Sequence, residues 1–132
     1  MFATRCPLGS IKLTLLEPGA YIQPHVGGHN LKLRAHLPLL VPSLNATEPR
    51  NSARMVVAGV EEVVWEEGKI VVFDDSFEHE IWNLSSQPRL ILVVDLLHPD
   101  MTQEQFAEAE AMFNLPQGAP ETGVNMAPVQ TS

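Results

Sequence analysis

The stretch from residue 65 to residue 96 constrains the fold most, because polar turns divide it into three short runs of strand-forming residues. The runs span residues 70–73, 79–83 and 89–96, and each contains β-branched or aromatic side chains. Runs of this length and composition are typical of β-strands. The last two begin at His79 and Arg89, and we predict that they form an antiparallel hairpin centred near Ser86.

The predicted hairpin places His79 and Arg89 on one face. Residue 79 would lie opposite residue 93, and residue 83 opposite residue 89, while side chains alternate along each strand. The two side chains would be about four residues apart, or roughly 13 Å. A small dicarboxylic acid bound by Arg89 could bridge that distance to a metal on His79. A lone histidine is more often structural, so both interpretations stay open at this point.

Residues 31–37, Leu-Lys-Leu-Arg-Ala-His-Leu, show the clearest alternation in the chain. Lys32, Arg34 and His36 share one face of the predicted strand, and apolar residues share the other. On a half-solvated strand the polar face would meet water, whereas in a small barrel it would line a polar interior. The earlier predicted strand 11–16 places Thr14 on the face opposite its apolar side chains.

Further segments complete a mainly β pattern. Short strands are predicted at residues 21–24, 55–58 and 63–65, with a turn at Gly59. The region 38–54 is rich in Pro, Asn and Ser and is predicted to form a surface loop after residue 41. Many short strands with turn signals and one helix favour an antiparallel sandwich or barrel that encloses a small-molecule site.

One helix is predicted after the last strand. Thr102 and Gln105 match a capping box, in which each side chain satisfies the other's backbone N–H. Apolar side chains follow at helical spacing, namely Phe106, Ala109 and Phe113. We predict one folded domain over residues 1–114 and a mobile tail over 115–132, where Pro and Gly occur without periodicity.

Charge and composition exclude several classes of function. Sixteen acidic residues against eight basic ones give a net charge of −8, which repels a nucleic-acid backbone. No apolar run reaches the roughly 20 residues that span a bilayer, and no export signal is expected. The single cysteine, Cys6, rules out an internal disulfide and fits a reducing compartment. We therefore expect a cytoplasmic protein without nucleic-acid or membrane partners, and its oligomeric state stays open.

Several short motifs follow one another in a specific order. They are Glu17-Pro18-Gly19, Pro24-His25-Val26-Gly27, Leu33-Arg34-Ala35-His36-Leu37, Trp65-Glu66-Glu67-Gly68-Lys69, Phe73-Asp74-Asp75-Ser76-Phe77-Glu78-His79-Glu80, Arg89-Leu90, Val94-Asp95 and His98-Pro99. In this order, over about residues 16–102, the chain resembles the aspartyl/asparaginyl β-hydroxylase family of iron(II)- and 2-oxoglutarate-dependent oxygenases.

The resemblance implies a double-stranded β-helix, a jelly-roll or cupin-like fold, with one C-terminal helix. It also implies Fe(II) and 2-oxoglutarate as cofactors, with His25 and His79 as the catalytic iron ligands. Arg89 resembles the arginine that pairs with the distal carboxylate of 2-oxoglutarate, a match of planar fork to carboxylate.

The resemblance also implies further cosubstrate contacts. Arg34 and His36 match the family's Arg-x-His pair, and Thr14 falls where a hydroxyl residue contacts the cosubstrate. Non-haem iron oxygenases commonly place a carboxylate ligand two residues after the first histidine. Here that position is Gly27, and the family is similar in lacking the carboxylate, with water in its place.

The reaction implied is hydroxylation of an unactivated C–H bond by molecular oxygen, with decarboxylation of 2-oxoglutarate to succinate. The predicted substrate is a small molecule or peptide, attacked at the β-carbon of Asp or Asn. Two alternatives stay open. One is a cupin-like module that binds metal and a small acid without oxidation, or an inactive relative shortened before Gly9-Ser10. The other is halogenation, with a halide in the space beside Gly27.

Overall fold

The structure of the chain is a computed structural model that describes residues 8–42 and 53–113. In chain order its elements are β1 (Ile11–Leu16), β2 (Tyr21–His25), β3 (Lys32–Leu40), β4 (Ala53–Val57), β5 (Glu61–Val64), β6 (Val71–Phe73), β7 (His79–Asn83), β8 (Arg89–Leu97) and α1 (Gln103–Phe113). The first sheet has the strand order β1-β8-β3-β6, and the second has the order β2-β7-β4-β5. All pairings are antiparallel. The prediction of a mainly β fold with one helix is confirmed.

Apolar side chains from both sheets pack between them. Met55 on β4 faces Ile81 on β7 in the second sheet, and Ile91 lies on β8 of the first sheet. All three are buried, as expected where alternate side chains of two stacked sheets meet. The buried cluster is completed by Leu16, Ala20, Val57, Trp65 and Val93.

The predicted hairpin between the strands at His79 and Arg89 is wrong. β7 pairs with β2 and β4, whereas β8 pairs with β1 and β3, so the two strands belong to different sheets. Alternation fixes which side chains share a face of a strand, but it does not select the partner strand. His79 and Arg89 do both point into the interior, from opposite sheets, because the odd-numbered residues of both strands are the buried ones.

Asn83, at the end of β7, shapes the connection that carries the chain from one sheet to the other. Its buried Nδ2 donates to the backbone carbonyls of Leu16 at 3.0 Å and Gln87 at 2.8 Å. Its Oδ1 accepts hydrogen bonds from the backbone N–H and hydroxyl of Ser85. The segment 84–88 is therefore held as an inter-sheet connection rather than a tight hairpin turn.

The polar face of β3 points inward. Lys32 and His36 are buried and Arg34 is half-buried, so the solvated alternative for this strand is wrong and the polar-interior alternative is confirmed. The opposite face of the first sheet is apolar and faces outward, the reverse of the usual arrangement. It carries Ile11, Leu13, Leu15, Leu33, Leu37, Val72, Leu90, Leu92 and Val94. The space between the two sheets, the chamber of this fold, is thus partly polar.

Several strand boundaries differ from the sequence prediction by one to three residues. β3 continues through Pro38 to Leu40, with an irregularity in the pairing between these residues, and β4 already begins at Ala53. The remainder of the predicted loop, 43–52, lies outside the described residues. The turn at Gly59 is confirmed: Ala58 and Gly59 both have positive φ, at 52° and 70°, which suits a tight hairpin between β4 and β5.

The helix α1 begins at the predicted capping box. The N–H of Gln105 donates to Thr102 Oγ1 at 3.2 Å, and the N–H of Thr102 donates to Gln105 Oε1 at 2.9 Å. Ala109 is buried and packs in a small cluster with Leu8. Nowhere in the described ranges is a helix long and apolar enough to cross a membrane. Cys6, the side chain of Phe113 and the predicted tail 115–132 lie outside the described residues.

Candidate active site

Two histidines meet at one end of the second sheet. His25 is the last residue of β2 and His79 is the first of β7, and the strand register pairs them directly. Their ring centroids are 4.2 Å apart. The strand pairing therefore brings together the two residues that the resemblance implied as metal ligands, although 54 positions separate them in the sequence.

Each histidine contacts a backbone carbonyl through one of its ring nitrogens, Nδ1. His25 Nδ1 lies 2.8 Å from the carbonyl oxygen of Gln23, and His79 Nδ1 lies 2.9 Å from that of Phe77. A carbonyl can only accept, so each Nδ1 carries a proton, and in the neutral form of either ring Nε2 has the lone pair. Burial lowers the pKa of His79 below its ordinary value, which favours the neutral ring that coordinates metals. A backbone carbonyl on the second nitrogen is the usual support of a metal-binding histidine.

This donor set fits a divalent transition metal with two protein ligands. Among residues 8–42 and 53–113, no group of three or more His, Cys, Asp or Glu side chains is arranged to hold a metal ion. Of the described side chains, only His25 and His79 would then bind such a metal, which leaves coordination positions for water or small molecules. An open coordination sphere of this kind is what an oxygen-activating iron requires.

Asp75 occupies the space beside Gly27, the position at which non-haem iron oxygenases commonly carry a carboxylate ligand. The Gly27 N–H donates to the Asp75 carbonyl at 2.6 Å, and a Cβ at residue 27 would lie 2.6 Å from the Asp75 carboxylate. The side chain of Asp75 is fully buried. From the sequence, Asp75 was assigned only to a polar turn, and alternation carries no signal that such a residue turns inward.

Asp75 belongs to a buried ion cluster with Lys32, Arg34 and Asp95. Lys32 Nζ contacts Asp75 at 2.9 Å and Asp95 at 3.2 Å. Arg34 contacts the same two carboxylates through Nη1 at 3.0 Å and Nε at 2.8 Å. Burial by itself raises the pKa of Asp95, but hydrogen bonding and the charge of Arg34 outweigh it and lower the pKa to about 2. Two cations and two anions thus balance, and much of the hydrogen-bonding capacity of Arg34 is already used.

Arg89 differs from Arg34 because no acidic residue pairs with it within the described part of the chain. It is 2% exposed, and its Nε and Nη1 have no hydrogen-bond acceptor there. Its guanidinium carbon lies 4.5 Å from the centroid of the Trp65 ring. Burial lowers the pKa of Arg89 to about 10, so it stays charged at neutral pH. A buried, unpaired cation is costly unless a bound anion neutralises it.

His36 and Phe73 connect the arginine to the histidine pair. The Phe73 ring lies edge-on to both His36, at 5.0 Å, and His79, at 5.3 Å between centroids. Burial lowers the pKa of His36 to about 3, and the nearby positive charge of Arg89 acts in the same direction. His36 Nδ1 also lacks a partner among the described residues. His36 is therefore a neutral ring that lies between the Trp65–Arg89 pair and Phe73, which in turn contacts His79.

Thr14 lies on the face of β1 opposite Ile11, Leu13 and Leu15, as predicted, and in the structure that face points inward. It is half-buried and pairs with Ile91, two residues from Arg89 along the same face of β8. Its hydroxyl donates a long hydrogen bond, 3.4 Å, to the carbonyl of Ile91. Five of the six predicted site residues lie on inward faces of their strands, namely Thr14, Arg34, His36, His79 and Arg89. The sixth, His25, is exposed at the end of β2, and its ring lies against that of His79. Sequence reasoning missed Asp75 as a partner of Arg34, and Trp65 as a partner of Arg89.

Comparison with known proteins identifies the family. The family model described as aspartyl/asparaginyl beta-hydroxylase matches residues 1–99. The chain belongs to this family. It is 42% identical over 102 residues to the human aspartyl/asparaginyl beta-hydroxylase, and 35% identical over 108 residues to an ornithine lipid ester-linked acyl 2-hydroxylase of Rhizobium tropici. These matches cover 77% and 82% of the chain, but only 12% and 36% of the two relatives.

Solved structures support the fold of this hydroxylase-family chain. A cupin domain of a transcriptional regulator from Enterobacter cloacae superposes with a TM-score of 0.54 at 15% identity, covering 69% of this chain and 83% of that one. A cupin protein from Bacteroides fragilis gives 0.53 at 14% identity, covering 71% and 70%. The predicted double-stranded β-helix is confirmed, and the named relatives support a hydroxylase.

Proposed function

We propose that the chain is an Fe(II)- and 2-oxoglutarate-dependent dioxygenase that hydroxylates an unactivated C–H bond. The observation that carries the proposal is the combination of two adjacent histidines, each held by an Nδ1 hydrogen bond to a backbone carbonyl, with a buried arginine that has no acidic partner among the described residues. The first can hold a metal and the second requires an anion. A dicarboxylic acid that chelates metal at one end is the ligand class that satisfies both.

The predicted site residues divide into two metal ligands and several contacts to the cosubstrate. His25 and His79 hold the iron, and their Nδ1 hydrogen bonds to backbone carbonyls fix the ring orientation. Arg89 neutralises the distal carboxylate of 2-oxoglutarate, while His36 and the remaining N–H groups of Arg34 lie toward its other end. Thr14 offers a hydroxyl near Arg89.

Bound iron would supply the oxygen chemistry, in which 2-oxoglutarate, O₂ and substrate R–H give succinate, CO₂ and R–OH. The protein's own contribution is to bind and orient the acid and to keep water away from the reacting atoms. Phe73, between the His36 and His79 rings, provides an apolar wall for that purpose.

Anaerobic titration with Fe(II) tests the metal and cosubstrate together. We expect a visible charge-transfer band that requires both Fe(II) and 2-oxoglutarate, and we expect the double variant His25→Ala/His79→Ala to lose it. His98→Ala, which changes a histidine outside the chamber, is the matched control and should keep the band. A folded wild-type protein without the band, or a double variant that retains it, would refute the assignment.

Succinate formation separates an oxygenase from a binding module. Steady, substrate-dependent succinate in air supports turnover. Ligand binding without any succinate would instead favour the alternative of a cupin-like protein that binds metal and a small acid, or of an inactive relative.

For the substrate we propose the β-carbon of Asp or Asn, free or in a peptide. The support is that the relatives named for this reaction are 42% identical, against 35% for the relative named for lipid acyl hydroxylation. The iron-loaded protein should be incubated under ¹⁸O₂ with Asp- and Asn-containing peptides, the free amino acids and acyl lipids. Label appearing only in the lipid would contradict the proposal.

A further inference from the structure

Trp65 is a buried tryptophan whose N–H group has no acceptor in the described part of the chain. It lies directly after β5 and is 2% exposed. Its Nε1 atom is fully buried and makes no hydrogen bond. A buried indole N–H usually has a partner, because leaving a donor unsatisfied is unfavourable. The missing acceptor is therefore expected to come from a bound molecule.

Two neighbours of Trp65, namely Arg89 and His36, also have buried nitrogen atoms without a hydrogen-bond partner in the described residues. The guanidinium carbon of Arg89 lies 4.5 Å from the Trp65 ring centroid, and the His36 ring lies 6.0 Å from it. Six buried side-chain nitrogen and oxygen atoms lack partners in the described residues, and four of them belong to these three side chains. They are His36 Nδ1, Trp65 Nε1, Arg89 Nε and Arg89 Nη1. Three of the four are obligate donors, so the molecule that fits them carries acceptor oxygens.

The face of the Trp65 ring provides a second argument. A buried arginine is normally paired with a carboxylate, as Arg34 is with Asp95. Such a carboxylate on Arg89 would compete with an acidic ligand. An aromatic face stabilises the guanidinium by a cation–π interaction and leaves its N–H groups available. Trp65 thus holds Arg89 in place without neutralising it.

We propose that Trp65 is a further carboxylate-binding residue of the site. Its indole N–H donates to an oxygen of the same carboxylate that Arg89 binds, and its ring orients Arg89. The inference rests on the proposed function in one respect, namely that the chamber takes a dicarboxylic acid such as 2-oxoglutarate.

The variant Trp65→Phe removes the N–H and keeps an aromatic ring. The chain has two tryptophans, and Trp82 also lies near an arginine, with the Arg54 guanidinium carbon 5.1 Å from its ring. Trp82→Phe is therefore the matched control, since it makes the same chemical change away from the chamber. Binding of 2-oxoglutarate to the Fe(II)-loaded chain is measured anaerobically by calorimetry.

We expect Trp65→Phe to weaken 2-oxoglutarate binding about 10- to 100-fold, the effect of losing one hydrogen bond to a charged acceptor. Trp82→Phe should change it less than about twofold. In turnover assays, Trp65→Phe should raise KM for 2-oxoglutarate much more than it lowers kcat, because it changes cosubstrate binding and leaves the metal ligands intact.

A direct readout uses protein labelled with ¹⁵N at the indole nitrogens. Its spectrum should contain two indole N–H signals, and the signal missing in Trp65→Phe belongs to Trp65. Adding 2-oxoglutarate to the metal-free chain should shift that signal and leave the Trp82 signal in place. A merely structural tryptophan would not respond in this selective way.

The outcomes separate this inference from the proposed function. If wild type binds 2-oxoglutarate while Arg89→Met does not, the role of Trp65 is refuted and the proposed function stands when Trp65→Phe binds like wild type and the Trp65 signal of the wild type does not shift. If wild type does not bind 2-oxoglutarate at all, or if Arg89→Met binds it equally well, both the proposed cosubstrate site and the role of Trp65 are refuted.

Discussion

Gly27 is the position where the structure makes its sharpest quantitative prediction, because the space for a side chain there is already filled. A methyl group at residue 27 would lie 2.6 Å from both Cγ and Oδ2 of Asp75 and 2.8 Å from Oδ1. Carbon contacts this short are not tolerated, so Gly27→Ala must displace the Asp75 side chain. Asp75 cannot move freely, since it is fully buried and held by Lys32 and Arg34.

Displacing Asp75 lowers the free energy of unfolding because it overpacks the interior and disturbs the ion pairs with Lys32 and Arg34. Overpacking a filled interior costs about 1–3 kcal/mol. Breaking a buried ion pair by removing one partner costs about 3–5 kcal/mol, because the other charge is left uncompensated. Some relaxation is expected, so we predict that Gly27→Ala lowers the free energy of unfolding by about 3 kcal/mol. That is a large fraction of the roughly 5–15 kcal/mol that stabilises a typical domain.

Urea denaturation followed by circular dichroism measures the free energy of unfolding of Gly27→Ala. The neighbouring glycine, Gly28, provides the control. Nothing lies within 4 Å of a Cβ built at Gly28, so Gly28→Ala should change the free energy of unfolding by less than about 0.5 kcal/mol. In an Asp75→Ala background the methyl group meets no carboxylate, and Gly27→Ala should cost less than about 1 kcal/mol. Equal effects of Gly27→Ala and Gly28→Ala, or additivity with Asp75→Ala, would refute the reasoning.

Two further predictions concern His36 and Arg89. Burial lowers the folded-state pKa of His36 to about 3, so between pH 6.5 and 3 the unfolded chain binds more protons and acid destabilises the fold by up to about 1.4 kcal/mol per pH unit. His36→Gln should reduce that slope in urea melts at several pH values, and an unchanged slope would contradict the assignment. Arg89→Met removes an unpaired buried charge and should raise the free energy of unfolding without ligand by about 1–4 kcal/mol while abolishing 2-oxoglutarate binding. A destabilised Arg89→Met protein in urea melts would show that Arg89 has a structural partner.

Local pattern predicted the strands but not their pairing. Alternation in residues 31–37 correctly placed Lys32, Arg34 and His36 on one face, yet it could not say that this face turns inward. The predicted hairpin put His79 and Arg89 on one face, whereas the structure buries them on strands of two different sheets. A period of two residues is a local property, whereas strand pairing depends on contacts between distant segments.

Residues of the candidate site could be predicted from the sequence where they belong to a recognisable motif. Residues that join the site only through packing could not. The roles of His25 and Arg89 came from the resemblance to a family. The structure pairs His25 with His79 at the exposed end of β2 and buries Arg89 on β8. Asp75 gave no such signal, because an acidic residue in an Asp-Asp-Ser turn is normally solvated. Its burial is visible only once β2 brings Gly27 against it and β3 supplies its cations.

Among the described residues, four interior charges form a balanced cluster, and Arg89 lies outside that cluster without an acidic partner. Lys32 and Arg34 are balanced by Asp75 and Asp95, so this cluster is neutral and its loss would be felt as instability. Arg89 adds one uncompensated positive charge inside a chain whose net charge is −8. The negative exterior disfavours anions in general, and the buried cation attracts one at a single place. Keeping Arg89 buried without an acidic partner lowers the free energy of unfolding. Such a destabilising charge is expected where function requires it.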